Sequence, residues 1–246
     1  MKYYTMFDIL FAYIFSIYGN EYGCKMIKKI DILGIQLDNY TVREAIIRLE
    51  ARYDNNMLNV IEMVSMQMLT ESESDPVLKE VISSLDLAVI GEKGILQAAG
   101  VDTMQRIRET EENDFSDEFL KRVERNRKSV FIIGETQGAV DEFTQELREE
   151  YPKLVLAGAA ATENCVGDLE GVINEMNAAT PDVIISIIPS PGQEHFLVEH
   201  RDKINANLWY GIGGFEVHRK RSRIKGFFWN LIHRVRLKNS IEKYES

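Results

Sequence analysis

The chain of 246 residues is 45% apolar and 28% charged, which excludes global disorder and leaves ample material for a core. Its two cysteines, Cys24 and Cys165, lack any CxxC or Cys/His spacing, so neither a disulfide scaffold nor a structural zinc site is expected, and a reducing compartment fits best. The formal charge of −10 is unevenly placed: residues 216–246 carry nine Lys/Arg against three Asp/Glu, and the acidic remainder argues against nucleic-acid binding.

Residues 1–25 contain the apolar run Ile9–Tyr18, too short to span a bilayer unaided and without a signal-peptide cleavage pattern. They read as an upstream extension, with translation starting near Met26; a peripheral apolar anchor is the alternative. From Met26 the pattern becomes regular. Lys29 to Leu37 has strand character, and Thr41-Val-Arg-Glu44 is a capping box that opens a helix to about Arg52. Met57 to Met63 is a second strand. Ser74-Asp75-Pro76 starts a helix with Val77, Val81, Ile82 and Leu85 on its apolar face. Leu87 to Ile90 is a short buried strand, followed by a turn at Gly91-Glu92-Lys93-Gly94.

Residues 100–118 are polar and irregular, and are expected to form a mobile loop. A helix over Asp117–Arg127 leads into a strand at Ser129–Ile133. Gly134-Glu-Thr-Gln-Gly138 then makes a tight connection into a helix ending at Glu150; no Gly-Lys-Ser/Thr follows, so it is not a Walker loop. A strand at Leu154–Ala157 and a helix at Leu169–Met176 precede the most informative stretch. There Val183–Ile188 is a β-branched run, Pro189-Ser190-Pro191-Gly192 breaks it, and Gln193 onward reads as a helix facing inward through Phe196, Leu197, His200 and Ile204. A buried strand, a tight loop and a helix start make a ligand site at the carboxyl edge of an α/β sheet, with free N–H groups suited to an anion. Leu208–Ile212 is the last strand, ending at Gly213-Gly214.

This alternation predicts an α/β domain with a Rossmann-like, mostly parallel sheet over residues 26–214. Residues 215–246 form an appendage in which Ile224, Phe227, Phe228, Leu231, Ile232 and Val235 fall at helical spacing. Basic residues flank them, including Arg219, Arg221, Arg223, Arg234 and Arg236. A helix docked on the domain and a helix lying on an anionic bilayer surface both satisfy this pattern. The four histidines are scattered and support no metal site; no cofactor is expected, and Glu194 and Glu199 read as solvated helix carboxylates.

Taken in order, several segments resemble the TagA/WecG/CpsF glycosyltransferases. They are Ile30-Asp-Ile-Leu-Gly-Ile-Gln-Leu37, Asp75-Pro-Val-Leu-Lys-Glu80, Val130-Phe-Ile-Ile-Gly134, Asn174-Glu-Met-Asn177 with Pro181-Asp182, Gln193-Glu194 with His200-Arg201-Asp202, and Gly211-Ile-Gly-Gly214. The resemblance covers about residues 27–240. It implies transfer of an N-acetylmannosamine-like sugar from a UDP donor to a membrane lipid-linked acceptor, at the cytoplasmic face of a plasma membrane, in cell-surface polysaccharide or teichoic acid synthesis. It also implies that Gln193 is the site glutamine beside Gly192, that Arg106 assists the donor, and that Gly213 and Gly214 flank the site. The basic tail would meet the membrane or the phosphates. One departure stands out: the family's Asp-Gly after the strand ending at Ile90, with its proposed catalytic Asp, is replaced by Gly91-Glu92, which leaves Glu92 as the substitute base. The alternative is therefore a catalytically degenerate relative that binds nucleotide-sugar or glycolipid, or scaffolds a polysaccharide-synthesis complex. Oligomerisation is left open.

Overall fold

The computed structural model describes residues 28–52, 57–165 and 169–213; the expectations for residues 1–25, Gly214 and the basic tail lie outside them. The described chain opens with β1 (Lys29–Ile32) and β2 (Ile35–Asp38), an antiparallel hairpin where a single strand was expected. Its two-residue turn is Leu33-Gly34, with φ of 54° and 78°. Two consecutive positive φ values give the turn whose twist matches a hairpin, and glycine accepts one of them without strain. Helix α1 (Val42–Glu50) starts at the expected capping box, with the Glu44 amide donating to Thr41 Oγ1 at 3.3 Å and the Thr41 amide to Glu44 Oε2 at 3.0 Å.

Strand β3 (Asn59–Val64) follows, then a short helix α2 (Met66–Glu71) that the sequence pattern did not announce. Helix α3 (Pro76–Ser84) begins as Asp75-Pro76 predicted, the Asp75 carboxylate accepting from the amides of Val77 and Leu78. After β4 (Leu87–Ile90) the expected turn is the start of a helix, α4 (Lys93–Ala98), with Glu92 at its N-cap. The expected mobile loop over 100–118 is instead helix α5 (Met104–Glu111) followed by α6 (Asp114–Arg125). Most of the polar side chains that suggested a loop lie on the exposed faces of these helices, but Arg106 and Glu109 are buried as a pair, and Phe115, Phe119 and Leu120 enter the core.

The second half alternates as expected: β5 (Ser129–Gly134), α7 (Gln137–Glu150), β6 (Val155–Ala161), α8 (Glu170–Ala178), β7 (Val183–Ser186), α9 (Gly192–His200) and β8 (Leu208–Gly211). Gly134 permits the tight β5–α7 connection: a Cβ there would fall 2.6 Å from Val140 Cγ2 and 2.9 Å from Ile187 Cγ1. That close packing, rather than phosphate binding, accounts for this glycine.

The six strands β3 to β8 form one parallel sheet in the order β4-β3-β8-β7-β5-β6. One face packs on α1, α6 and α7 through Ile46, Phe119, Phe143 and Leu147, opposite Ile61, Met63 and Tyr210 of the sheet. The other face packs on α8 and α9 around Trp209, and on the hairpin and α2, α3 and α4 around Val64 and Ile90. Both faces are covered, which explains the near-continuous apolar strands. The hairpin also guards the β4 edge, where Asp38 Oδ2 accepts the Ala88 amide at 3.0 Å and removes a free edge donor. Among the described residues no helix is long and apolar enough to cross a membrane.

Candidate active site

In such a sheet the carboxyl ends of the strands carry ligand sites, at points where neighbouring connections diverge. Here the chain leaves β3 outward to β4, while α9 brings it from β7 into β8, which lies against β3. The start of α9 is thus placed over the β8 and β3 ends, and two of its polar side chains turn inward. Gln193 is 2% exposed and Glu194 fully buried, so the expectation of a solvated Glu194 is corrected; Glu199 is largely exposed as expected. Gln193 lies flat on the Gly211 backbone, where an added Cβ would fall 2.7 Å from Gln193 Cδ. Directly beside Gly211 in register stands Glu62 of β3, fully buried. Burial pushes the Glu62 carboxyl well above the usual range, and the nearby Glu194 pushes it further, against a weaker opposing effect of the Gln193 amide. Glu194 is also raised by burial, though contacts from its own amide, Ser190 and Gln193 oppose this.

The helix start is not the open anion site expected from the sequence. The Gln193 amide donates to the Pro189 carbonyl at 3.2 Å, and Glu194 itself sits in the first turn. The same self-capping recurs along the rim: the Gln137 amide donates to Glu163 Oε1 at 2.5 Å, and the Met66 amide to Glu92 Oε1 at 3.2 Å. Glu92 therefore does stand at the carboxyl end of β4, bridging to the residues that follow β3, with one carboxylate oxygen engaged as a cap. Beside the start of α9, His195 Nε2 meets Asp75 Oδ2 at 3.0 Å, which ties α9 to α3. Hydrogen bonds from the Leu78 amide and His195 hold the Asp75 carboxyl below the usual carboxylate range.

Arg106 is elsewhere. It lies on the opposite sheet face, in a cavity of about 30 Å³ lined by Tyr40, Met63, Val89, Ile90, Asn113 and Phe115 among others. Its Nη1 donates to Glu109 Oε2 at 2.8 Å and its Nε to Asn39 Oδ1 at 3.2 Å. That volume holds a water or so and no nucleotide. The structure thus brings Gln193 together with Glu62 and Glu194, sets Glu92 on the same rim, and leaves Arg106 across the sheet inside an ion pair. Gly192 opens α9, and Gly213, with φ 55°, follows β8 with its missing Cβ 3.9 Å from the Ile188 carbonyl, so both border the Gln193 loop. Glu62 was missed because it sits inside an apolar run; a lone acid between Ile61 and Met63 in a buried strand was the available signal.

Gly211 gives this site a direct test. Gly211→Ala is expected to cost about 1–3 kcal/mol through overpacking. By displacing Gln193 it should lower donor-dependent turnover about 10²-fold. Urea unfolding and steady-state kinetics on the one variant check both, and unchanged turnover would remove Gln193 from the site.

Comparison with known proteins identifies the family. The model of the glycosyl transferase WecG/TagA/CpsF family matches residues 30–218. Curated relatives include N-acetylglucosaminyldiphosphoundecaprenol N-acetyl-beta-D-mannosaminyltransferases of Staphylococcus aureus. Those of strains COL and N315 are 23% identical over 191 residues, spanning 76% of this chain and 73% of the relative. That of strain MRSA252 is 22% identical over the same length. With the family model covering well over half of its length, this chain belongs to the WecG/TagA/CpsF family of glycosyl transferases.

Proposed function

We propose that the protein transfers an N-acetylmannosamine-type sugar from a UDP donor to a lipid-linked N-acetylglucosamine acceptor. The observation that carries this reading is the buried Gln193 amide laid on Gly211 at the carboxyl edge, with the Glu92 carboxylate further along the same rim, after β4. The relatives' names supply the sugar and acceptor chemistry. Gln193, with Gly192 and Gly213 allowing close approach, orients the donor. Glu92 takes the proton from the acceptor hydroxyl as its oxygen attacks the anomeric carbon, and UDP leaves. Because the helix starts on this rim already hold carboxylates, cations must balance the departing diphosphate. The tail arginines Arg219, Arg221, Arg223, Arg234 and Arg236 are assigned that work, together with contact to an anionic membrane at its cytoplasmic face. Arg106 contributes only if Glu109 releases it.

A second reading is favoured by one observation: Glu92 already caps α2, which leaves its carboxylate half committed. On that reading the protein binds nucleotide-sugar or glycolipid without turning it over. UDP release from UDP-N-acetylmannosamine, measured with and without a lipid-diphosphate-linked N-acetylglucosamine acceptor in vesicles, separates the two. Acceptor-dependent release supports the transferase. Donor binding with no release across acceptors sinks it in favour of the binder.

A further inference from the structure

Beneath Gln193 there are more acceptors than donors. Both oxygens of Glu62, both of Glu194 and Gln193 Oε1 are buried and make no hydrogen bond of full geometry among the described residues; only the Gln193 side-chain amide, the Ser190 side chain and the Glu194 backbone amide approach the two carboxylates. Two carboxylates and an amide oxygen held together with so few donors would be an expensive arrangement, since each under-satisfied buried polar group costs about 1–3 kcal/mol and charged ones more. A single proton resolves most of it.

We propose that Glu62 is a neutral carboxylic acid in the folded protein, and that its proton, shared within the Glu62–Glu194–Gln193 cluster, holds the Gln193 amide in place against Gly211. This rests on the reading of Gln193 as a donor-binding residue. Glu62 is a positioning residue: it acts through Gln193 and touches no substrate.

The placement of the proton follows from the surroundings. Glu194 lies in the first turn of α9, where the helix N-terminus and its own amide favour a charge. Glu62 lies mid-sheet between Ala88 of β4 and Gly211 of β8, with no such support. The charged and titratable groups bearing on the pair from the packed elements are each other and, from α9, His195, which is held by the Asp75 cap of α3; no Lys or Arg among the described residues acts on Glu62. Two carboxyl groups this close do not both ionise readily, so the better-supported one keeps the charge and the other the proton.

The sign of the linkage is fixed by this assignment. A carboxyl raised on folding contributes stability that is complete below the unfolded value, about 4.3 for glutamate, and is lost as pH rises toward its folded value. Wild-type stability should therefore fall across the mildly acidic to neutral range relative to Glu62→Gln, whose amide keeps both the shape and a donor for Gln193.

The test uses the full chain. An infrared difference spectrum of wild type minus Glu62→Gln at neutral pH is expected to show the carbonyl stretch of a protonated carboxyl, insensitive to added Mg²⁺ or Mn²⁺. Its absence overturns the proposal, as does its loss on metal addition, which would make the three side chains a cation site. Kinetically, Glu62→Gln should retain turnover while Glu62→Leu loses about 10²-fold in kcat/KM for the donor. If Glu62→Leu does not fold, the pH dependence of unfolding in wild type against Glu62→Gln decides, parallel curves counting against a proton on Glu62. Should the protein turn over no donor at all, the transferase reading fails while the infrared band still judges Glu62.

Discussion

Arg106→Ala is expected to destabilise the protein by about 3–5 kcal/mol, the cost of leaving one member of a buried ion pair without its partner. The side chains of Arg106 and Glu109 are 7% and 8% exposed, so solvent does little to screen the loss. Glu109 is held by more than Arg106: its Oε2 also accepts the Val42 amide at 3.3 Å and its Oε1 the Gln105 side chain at 2.8 Å. The pair therefore pins α5 to the start of α1 and, through Asn39, to the exit of the hairpin. Arg106→Lys should recover only part of the loss, because a single ammonium cannot reach both Asn39 and Glu109 as the guanidinium fork does. Replacing both partners by methionine should be far milder than the single change, since no charge is then stranded. Urea denaturation of the three variants measures this, and a loss below about 1 kcal/mol for Arg106→Ala would contradict the buried pair.

Glu92→Gln should instead leave the fold nearly untouched and remove turnover. The amide oxygen of glutamine can still accept the Met66 N–H that caps α2, so stability is expected within about 0.5 kcal/mol of wild type. What disappears is the capacity to take a proton, and losing a general base typically lowers kcat by about 10²–10⁴. The contrast with Arg106→Ala separates the two residues that the family resemblance assigned to one site: one variant unfolds more easily, the other folds and fails to react. Unchanged turnover in Glu92→Gln would eliminate it as the base.

Local signals with a mechanism transferred well from sequence to structure. The Thr41…Glu44 box, Asp75-Pro76 and the β-branched run from Val183 each specify a backbone geometry by themselves, and each element starts where those residues say it should. The Leu33-Gly34 turn was illegible because leucine is a poor marker of positive φ, and the strands on either side read as one. The α5–α6 region was misread for a different reason: its exposed charges hid the helical period, and the pair buried by tertiary packing, Arg106 with Glu109, looks in sequence like more of the same solvated face. The site divides in the same way. Gln193 was legible through its loop, but its contact with Gly211 and Glu62 arises from strand register between β3 and β8, segments separated by well over a hundred residues. Arg106 was placed by analogy, and burial put it across the sheet.

The strand order has a consequence for how the molecule is made. β8 is the last strand among the described residues yet sits inside the sheet, with Leu208 paired both to Asn59 of β3 and to Val183 of β7. Before it arrives, β3 with β4 and β5 with β6 and β7 are two separate parallel ribbons, each with an open inner edge. Among the described residues, nothing joins them through strand pairing until Leu208–Gly211 slots between. Such late, long-range pairing is slow and leaves sticky edges exposed in the meantime. The same event seats Gly211 under Gln193 and beside Glu62, so the nascent chain has no candidate active site until its sheet is whole. Completion of the sheet and assembly of the candidate site are one step.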